Sequence, residues 1–383
     1  MKLHLIGKWF SQVFLSRSAL ALSVLSFVIL GSNSANAEEK DYGKPGTPIK
    51  IVVGYQPYAA LTWDGAVMRK KEFWRKYMPK GSEVEFQIGL AGALIVNQML
   101  AGKQDVGYLG DMPAIVSTTK KATDISLVAV LDQDNLCNLV VVRADAPKFK
   151  DFKEAVQWLN GKQVAAPLGS CADRFARVVM KAENVKPAAY LNQSLELIAT
   201  GFRVGKLDGA FQWEPTTSKL VEEGLGRVVA SGQNYDELDH SFMAMRGDLI
   251  KQRPDVVKAL LNAELDAQLF MADPGNANEL INIVHEQING FTKKILWNAL
   301  HGTYPGVTYK SDIRMNMPFI FTPEVRAAIE GSAKFLFSIK AIDTESLRSD
   351  AIDAKFADEV LRERKLTSPI GVIRAQPLSR LKE

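Results

Sequence analysis

The chain has few of the residues that most catalytic and metal-binding sites require. It contains two cysteines and four histidines in 383 residues, and no pair of histidines has the HExxH spacing of zinc peptidases. It also lacks the GxSxG turn of serine hydrolases, the P-loop, and a GxGxxG turn followed by a ribose-binding acid. These absences remove the usual signatures of metalloenzymes, hydrolases and nucleotide-binding enzymes.

Only one apolar run is long enough to suggest a membrane or export signal, and it lies near the N terminus. Basic residues precede the run ALALSVLSFVIL (19–30), and the small residues Ala-Asn-Ala (35–37) follow it. The run is shorter than the ~20 residues that cross a bilayer, and the three-part pattern is typical of a secretory leader. No cysteine lies near its end to anchor a lipid. We expect a signal peptide at 1–37 with cleavage near Ala37, a soluble mature protein and periplasmic localisation.

The net positive charge of the full chain comes largely from this leader. Lys2, Lys8 and Arg17 are its only charged residues, so their removal lowers the formal net charge from +4 to +1. A nearly neutral chain does not favour nucleic acid or an anionic membrane surface as the main partner. The remaining chain is longer than one core usually supports, which favours two lobes.

Cys137 and Cys171 are the whole cysteine content, and both would remain after export. An oxidising compartment favours a disulfide between two such residues. Sequence spacing does not show whether their Cα atoms come within bridging distance, so the disulfide stays open at this stage.

Strands and helices alternate along the chain from Ile49. The first series has predicted strands at 49–55, 84–88, 105–110 and 126–131, and predicted helices at 63–77, 91–101 and 112–120. A second series, starting around 139–147, has strands at 163–167, near 190, 208–212 and 227–231, and helices at 151–160, 172–183, 194–204 and 215–223. This alternation is typical of βαβ units and predicts mostly parallel sheets.

After the second series, a strand at 241–248 is predicted to return to the first, and only helices are predicted from Pro254 onward. Those helices lie at 254–272, 275–288, 292–300, 323–337 and near 350–364.

An α/β series inserted into another predicts an α/β fold of two lobes with two hinge crossings, near 136–144 and 232–244. We expect lobe I to comprise 38–140 and 236–383, the latter with the C-terminal helices, and lobe II to comprise 141–235. Two lobes joined in this way can rotate about the crossings and enclose a ligand, although the fold alone does not prove a function.

In open α/β sheets, ligands bind at the carboxyl ends of strands, where loops lead into helix N-termini. The candidate ligand-binding residues are those in or just after these loops. They are Gln56, Tyr58, Trp63, Gly92, Ala93, Asp111, Met112, Ser170, Cys171, Arg174, Trp213 and Glu214.

The same loops carry a family resemblance. The segments that carry it occur in order as GYQ (54–56), a Gly-rich turn (89–92), MLAGKQDVGYLGDMPA (99–114), VAAPLGS (164–170), KLDGAFQWEP (206–215) and RPDVVKALL (253–261). They resemble the nitrate/sulfonate/taurine branch of ABC-transporter substrate-binding proteins, which have the type II periplasmic binding fold. The resemblance implies that these loops line a ligand cleft and that a cognate permease and ATPase at the inner membrane are the partners. We expect a monomer that needs no cofactor or metal.

Several of these residues have a structural interpretation beside the ligand-binding one. Ser170 would either cap its helix or donate its hydroxyl to an anion, and Asp111 would either cap its helix or face the ligand. Arg174 would either clamp an anion or remain solvated, and the solvated form is favoured. Trp213 is predicted to point into the cleft, and Trp63 is a weaker candidate because its helix would bury it.

The two acids near the predicted cleft bear on the ligand. If Asp111 or Glu214 faces inward unpaired, it would repel nitrate or bicarbonate and favour a ligand that also carries an amine. Aromatic walls suggest an organic body as well. We therefore favour an organosulfonate or a zwitterion of the taurine kind over an inorganic anion.

Other functions on the same fold remain open. The cargo would instead be nitrate or bicarbonate, an aromatic acid, or a pyrimidine thiamin precursor stacked between Trp213 and Tyr58. An enzyme similar to the yeast thiamin-pyrimidine synthases is less favoured, since the resemblance implies a Cys-rich iron motif that this chain lacks. Cys171 at a helix N-terminus has no evident base partner in the sequence. We therefore expect no enzymatic activity.

Overall fold

The computed structural model describes residues 39–119 and 124–382, so the predicted signal peptide lies outside the described residues. Twelve strands occur in this part of the chain: β1 (Lys50–Tyr55), β2 (Glu83–Ile88), β3 (Val106–Gly110), β4 (Ile125–Asp134), β5 (Leu139–Arg143), β6 (Gln163–Ala166), β7 (Ala189–Asn192), β8 (Gly209–Gln212), β9 (Gly226–Ser231), β10 (Asp239–Arg246), β11 (Ile313–Met317) and β12 (Gly371–Arg374).

Thirteen α-helices pack on these strands in the described ranges: α1 (Trp63–Lys71), α2 (Gly92–Leu100), α3 (Asp111–Thr119), α4 (Phe152–Gln157), α5 (Cys171–Ala182), α6 (Leu195–Arg203), α7 (Thr216–Glu222), α8 (Gly247–Gln252), α9 (Pro254–Ala272), α10 (Ala277–His285), α11 (Lys293–His301), α12 (Pro323–Ser338) and α13 (Lys355–Glu363). Within the part of the chain that the structure describes, none of them combines the length and apolarity needed to span a bilayer.

The strands form two sheets, which confirms the predicted α/β fold. The large sheet has the order β12-β11-β4-β10-β3-β1-β2, and the small sheet has the order β7-β6-β8-β5-β9. We call the large sheet with α1–α3 and α8–α13 the large lobe, and the small sheet with α4–α7 the small lobe. The chain starts in the large lobe, builds the small lobe, and then returns.

The predicted mostly parallel pairing is wrong for both sheets. β1 pairs in parallel with β2 and β3, but β10 runs antiparallel to both β3 and β4. In the small sheet, β5 runs antiparallel to β8 and β9. The reason is that β5 and β10 are the strands entered directly from the crossings between lobes, with no α-helix before them. A parallel neighbour requires a crossover of about a dozen residues or more.

Two further sequence predictions were wrong. The region after Pro254 is not purely helical, because the short strands β11 and β12 extend the large sheet beyond β4. Strands this short have too few residues for an alternating pattern to emerge. The predicted helix 63–77 ends at Lys71, where Glu72 adopts a left-handed conformation with φ of 50°, and a 3₁₀ turn follows at Phe73–Lys76.

Two short connections join the lobes. The first crossing, 135–138, links β4 to β5, and the second crossing, 232–238, links β9 to β10. The predicted boundary after residue 140 falls inside β5, whereas the boundary after residue 235 falls within the second crossing. The lobe boundaries themselves stay a prediction.

Large-lobe residues also pack into the core of the small lobe. Ala59 and Leu61, from the loop after β1, belong to the same buried apolar cluster as Trp213 and Phe211 of the small lobe. Tyr304, which follows α11, joins that cluster too. The amide of Ala60 donates to the carbonyl of Glu214 at 2.9 Å. The lobes are therefore in contact at the carboxyl ends of β1 and β8.

A disulfide joins Cys137 and Cys171, whose Cα atoms lie 6.1 Å apart. Cys137 lies in the first crossing, and Cys171 is the first residue of α5. The bond therefore fixes the start of α5 to the connection between the lobes, and both residues are buried.

We predict that replacing both cysteines by serine lowers the free energy of unfolding by about 3–4 kcal/mol, because the bond closes a loop of 34 residues in the unfolded chain. Urea unfolding of the oxidised wild type and of the C137S/C171S variant measures this difference. Dithiothreitol should destabilise the wild type and leave the variant unchanged. Equal stability of the two proteins under oxidising conditions would contradict the prediction.

Candidate functional site

Arg174 connects three parts of the molecule at the junction of the lobes. It lies one turn into α5, and only 7% of it is exposed. Its Nη1 donates to the carboxylate of Glu237 at 2.6 Å, and its Nη2 donates to the carbonyl of Leu238 at 2.9 Å, both in the second crossing. Its Nε lies 3.3 Å from Oδ2 of Asp111, the first residue of α3, as an ion pair that is not aligned for a hydrogen bond. The expectation that Arg174 is solvated is therefore wrong, because acids distant in sequence surround it.

The charge on Arg174 is stabilised by those acids. Burial acts to lower the pKa of Arg174, but the carboxylates of Asp111, Asp239 and Glu237 outweigh it and raise the pKa above its usual value. The hydroxyl of Ser332 on α12 lies 3.4 Å from Oδ2 of Asp111. The guanidinium of Arg174 thus contacts both the large lobe and the second crossing from the small lobe.

Asp239, at the start of β10, is a fully buried acid that the sequence did not single out. Neither of its oxygens meets a hydrogen-bond donor, and one lies within 4.8 Å of the sulfurs of Cys137 and Cys171. Burial raises its pKa well above the usual range, Asp111 and Asp134 raise it further, and Arg174 opposes them.

A second buried acid pair lies beside the first on β4. Asp239 and Ser241 of β10 face Asp134 and Asp132 in the strand register. Burial raises the pKa of Asp134 to about 6, and it raises that of Asp132 well above its usual range. Oγ of Ser241 lies 2.5 Å from Asp132, and Asp134 accepts from the amide of Leu136 in the first crossing. β4, which ends at the first crossing, and β10, which begins after the second, therefore carry acids next to the crossings that hold protons more tightly than usual.

The loops predicted to form the cleft in the large lobe converge at one edge of the sheet. Gln56 is buried, and its Nε2 donates to the carbonyl of Tyr108 at 3.0 Å. A methyl group placed on Gly92 would collide with the ring of Pro113 and would lie 3.7 Å from Nε2 of Gln56. The loop after β1, the start of α2 and the start of α3 therefore meet here, and glycine at position 92 permits the close approach.

The predicted residues of the small lobe have mixed environments. Ser170 caps α5 by accepting from the amide of Asp173 at 3.4 Å, and its hydroxyl donates to the carbonyl of Pro167 at 2.6 Å. Cys171 is held in the disulfide. Trp213 is 9% exposed within the apolar cluster of the small lobe. Ser170 alone among these three remains half-exposed.

The side chain of Glu214 is enclosed by protein groups and is not open to a ligand. It is fully buried, the hydroxyl of Tyr304 donates to one carboxylate oxygen, and the amide of Ser218 donates to the other at 2.9 Å. Its backbone amide also donates to the carbonyl of Leu136 at 2.9 Å. The carboxylate is therefore fully occupied by protein donors, unlike that of Asp239.

The remaining predicted residues lie at different depths. Trp63 is fully buried and donates its indole N–H to the carbonyl of Pro57 at 2.9 Å, and Met112 is also fully buried. Tyr58 packs against Phe291, with ring centroids 6.0 Å apart, and is half-buried. Ala93 is exposed at the start of α2. Burial of Trp63 agrees with the alternative considered for it from the sequence.

Exposed leucine and isoleucine side chains flank the strand ends of both lobes, a feature that the sequence analysis missed. We call them the apolar rim: Ile88, Leu90 and Leu94 around the start of α2, and Leu168 and Leu197 at the starts of α5 and α6, with exposed fractions between 41% and 64%. The amide of Leu168 donates to Asn192 at the end of β7 at 3.1 Å, which places Leu168 beside the strand that leads into α6. Exposed apolar groups that gather at strand ends indicate contact with a ligand or with a partner surface.

Comparison with known proteins gives the family. A family model described as the NMT1-like family matches residues 45–285, which is more than half of the chain. The chain belongs to the NMT1-like family. The resemblance inferred from the loop motifs is thereby confirmed.

Relatives of this NMT1-like chain are binding proteins. The taurine-binding periplasmic protein of Escherichia coli (strain K12) is 24% identical over 265 residues, which cover 68% of this chain and 73% of that protein. The putative aliphatic sulfonates-binding protein of Bacillus subtilis (strain 168) is 24% identical over 284 residues, which cover 73% and 78%.

Solved structures share the two-lobed fold of the NMT1-like chain. The alkanesulfonate-binding protein SsuA from Xanthomonas axonopodis pv. citri, bound to MOPS, superposes with a TM-score of 0.64 at 17% identity, covering 82% of this chain and 99% of that one. The desulfurization enzyme DSZB also superposes, with a TM-score of 0.60 at 14% identity, covering 82% and 99%. The fold therefore hosts both binding proteins and an enzyme.

For the NMT1-like chain, the acid pair on β4 predicts a pH-dependent stability. A carboxyl whose pKa is raised on folding contributes stability below its unfolded pKa of about 3.9, and this contribution is lost as pH rises through the folded value of about 6. The Asp134→Asn variant removes this titration and keeps an oxygen for the amide of Leu136. Relative to the wild type, we expect the variant to gain on the order of 1–3 kcal/mol between pH 4 and pH 7.

Urea unfolding of both proteins across this pH range measures the difference. Asp266→Asn is the matched control, because its ion pairs with Lys76 and Arg364 outweigh burial and lower the pKa of Asp266. The difference between that control and the wild type should be nearly constant from pH 5 to 7. A stability difference for Asp134→Asn that does not change with pH would refute the prediction.

Proposed function

We propose that this chain is the extracytoplasmic solute-binding component of an ABC importer, working with a membrane permease and an ATPase. It would be exported by the leader at 1–37 and act in the periplasm. One relative is a periplasmic binding protein by name, and the near-neutral mature chain suits a free carrier.

The observation that carries the proposal is the ion pair between Arg174 of the small lobe and Asp111 of the large lobe. Both residues lie in the first turn of a helix that follows a strand, where ligands bind in α/β folds. The same guanidinium binds the second crossing, so relative rotation of the lobes would change these contacts. Such a linkage supports capture by hinge closure.

We propose an organic zwitterion or organosulfonate as the ligand, rather than nitrate or bicarbonate. Two relatives that cover about 70% of this chain are named for taurine and aliphatic sulfonates, whereas the two named for nitrate and nitrite cover 58% and 37% of it. Asp239 and Asp111 supply acceptors for an amine beside the guanidinium of Arg174, and the N-termini of α3 and α5 favour an anionic group. The apolar rim suits an organic body.

The contacts do not favour a pyrimidine precursor, since Tyr58 packs on Phe291 and Glu214 is occupied by Tyr304 and Ser218.

We also propose that the chain is not an enzyme. Both cysteines are joined in the disulfide, and burial lowers the pKa of His240 and His301 to about 4, which makes them poor bases at neutral pH.

We predict that taurine or a short alkanesulfonate raises the melting temperature of ligand-stripped mature protein. A ligand at about 1,000 times its dissociation constant adds roughly 4 kcal/mol, a shift of several degrees. The thermal scan would include ethanesulfonate, nitrate, bicarbonate, benzoate and a pyrimidine amine. A shift with nitrate alone would show that the ligand is an inorganic anion instead. If none of these probes raises the melting temperature, the proposed capture of these solutes is contradicted.

The location of the ligand is tested with two helix-cap variants. Ser170→Ala and Thr292→Ala each remove an N-cap side chain, of α5 and α11 respectively, and each should cost about 1 kcal/mol of stability. Only Ser170→Ala should also reduce the ligand-induced shift. Equal reductions in both variants would place the ligand elsewhere.

A further inference from the structure

A cavity of about 540 Å³ lies at the hinge, outside the strand-end loops described above. We call it the hinge cavity. Its walls come from the two crossings and from the strands at the edge of the large sheet, and they include Asn135, Gln233, Leu238, Ile313, Arg314 and Val372. Its volume is within the range of small-molecule sites.

Arg314 on β11 is the unusual group in this wall. It is 3% exposed, and its Nε and Nη2 make long contacts of 3.4 Å to the carbonyls of Leu300 and Ala299. No carboxylate of the described residues forms an ion pair with it within 4.0 Å. Its guanidinium carbon lies 5.7 Å from the ring centroid of Tyr309. A buried cation without a bound acid is costly unless something else neutralises it.

The other charged groups of the wall already have partners. Lys310 is paired with Asp236, Glu237 is paired with Arg174, and Asp134 accepts from the amide of Leu136. Among the described residues of the cavity wall, Arg314 therefore carries the positive charge that no carboxylate contacts.

Two buried acids lie near Arg314 without touching it. Burial raises the pKa of both Asp134 and Glu214, and Arg314 partly opposes that rise. Asp134 is the acid of the pair on β4, and Glu214 is occupied by Tyr304 and Ser218. Their carboxylates act on Arg314 at a distance, so neither of them occupies its guanidinium.

We propose that the hinge cavity is a second ligand site, which binds a small organic anion through Arg314. A planar guanidinium binds a carboxylate or sulfonate with two parallel hydrogen bonds. Leu238, Ile313 and Val372 supply apolar contacts for the body of the ligand, so an aromatic or branched aliphatic acid fits the walls better than a bare ion. The site is distinct from the strand-end loops, because none of the predicted cleft residues lines it.

The test is titration of ligand-stripped mature protein with 4-fluorobenzoate, followed by fluorine NMR. We expect binding that weakens at least tenfold in Arg314→Gln. Arg326→Gln is the matched control, since Arg326 also donates to a carbonyl, at 3.2 Å, and lies over an aromatic ring, 5.7 Å from the centroid of Phe321. This control should bind as the wild type does.

A second variant keeps the test valid if Arg314→Gln does not fold. Val372→Trp fills the cavity from a half-exposed position on the edge strand β12 and retains the guanidinium, so it should also abolish binding. No binding to the wild type, or wild-type affinity in a folded Arg314→Gln or Val372→Trp variant, would overturn the proposal. The melting shift given by taurine or an alkanesulfonate should persist in both variants, which separates this site from the proposed cleft.

Discussion

The structure depends on the way in which one guanidinium compensates several buried acids where the lobes meet. Arg174 binds Glu237 and the carbonyl of Leu238 in the second crossing, and it lies against Asp111 of the large lobe. A buried ion pair adds little net stability by itself, but removing one partner leaves an uncompensated charge that costs about 3–5 kcal/mol. The network therefore fixes how the lobes approach each other more than it stabilises either lobe.

More carboxyl groups than guanidinium groups lie in this buried region, and several of the carboxyl groups hold their protons more tightly than usual. Burial raises the pKa of Asp132, Asp134 and Asp239 above the usual range, because these neighbouring carboxylates are poorly solvated. Asp132 and Asp134 lie at the end of β4, before the first crossing, and Asp239 lies at the start of β10, after the second crossing. The disulfide of Cys137 joins the first crossing to α5. Small changes in lobe orientation would therefore alter ion pairing, protonation and solvent access together.

The order of strands and helices was predictable wherever it follows from a local sequence pattern. The β-branched run of β1 and the glycines before α2 were sufficient to place strand, turn and helix. The antiparallel direction of β10 was not predictable, because it follows from the return of the chain between lobes. The environment of Arg174 was also missed, since Glu237 lies 63 residues away in sequence. Trp213 was predicted to point into the cleft, but Asp132 and Asp134 were not singled out, because they lie beyond the predicted strand 126–131.

The most direct test of the junction is the distance between the lobes. Spin labels on the exposed positions Gln98 of α2 and Lys206 of the small lobe would report it by double electron–electron resonance, with the native disulfide intact. The wild type should give one narrow distance distribution, and Arg174→Gln should give a broader distribution shifted to longer distances. An identical narrow distribution in both proteins would contradict the central role of Arg174.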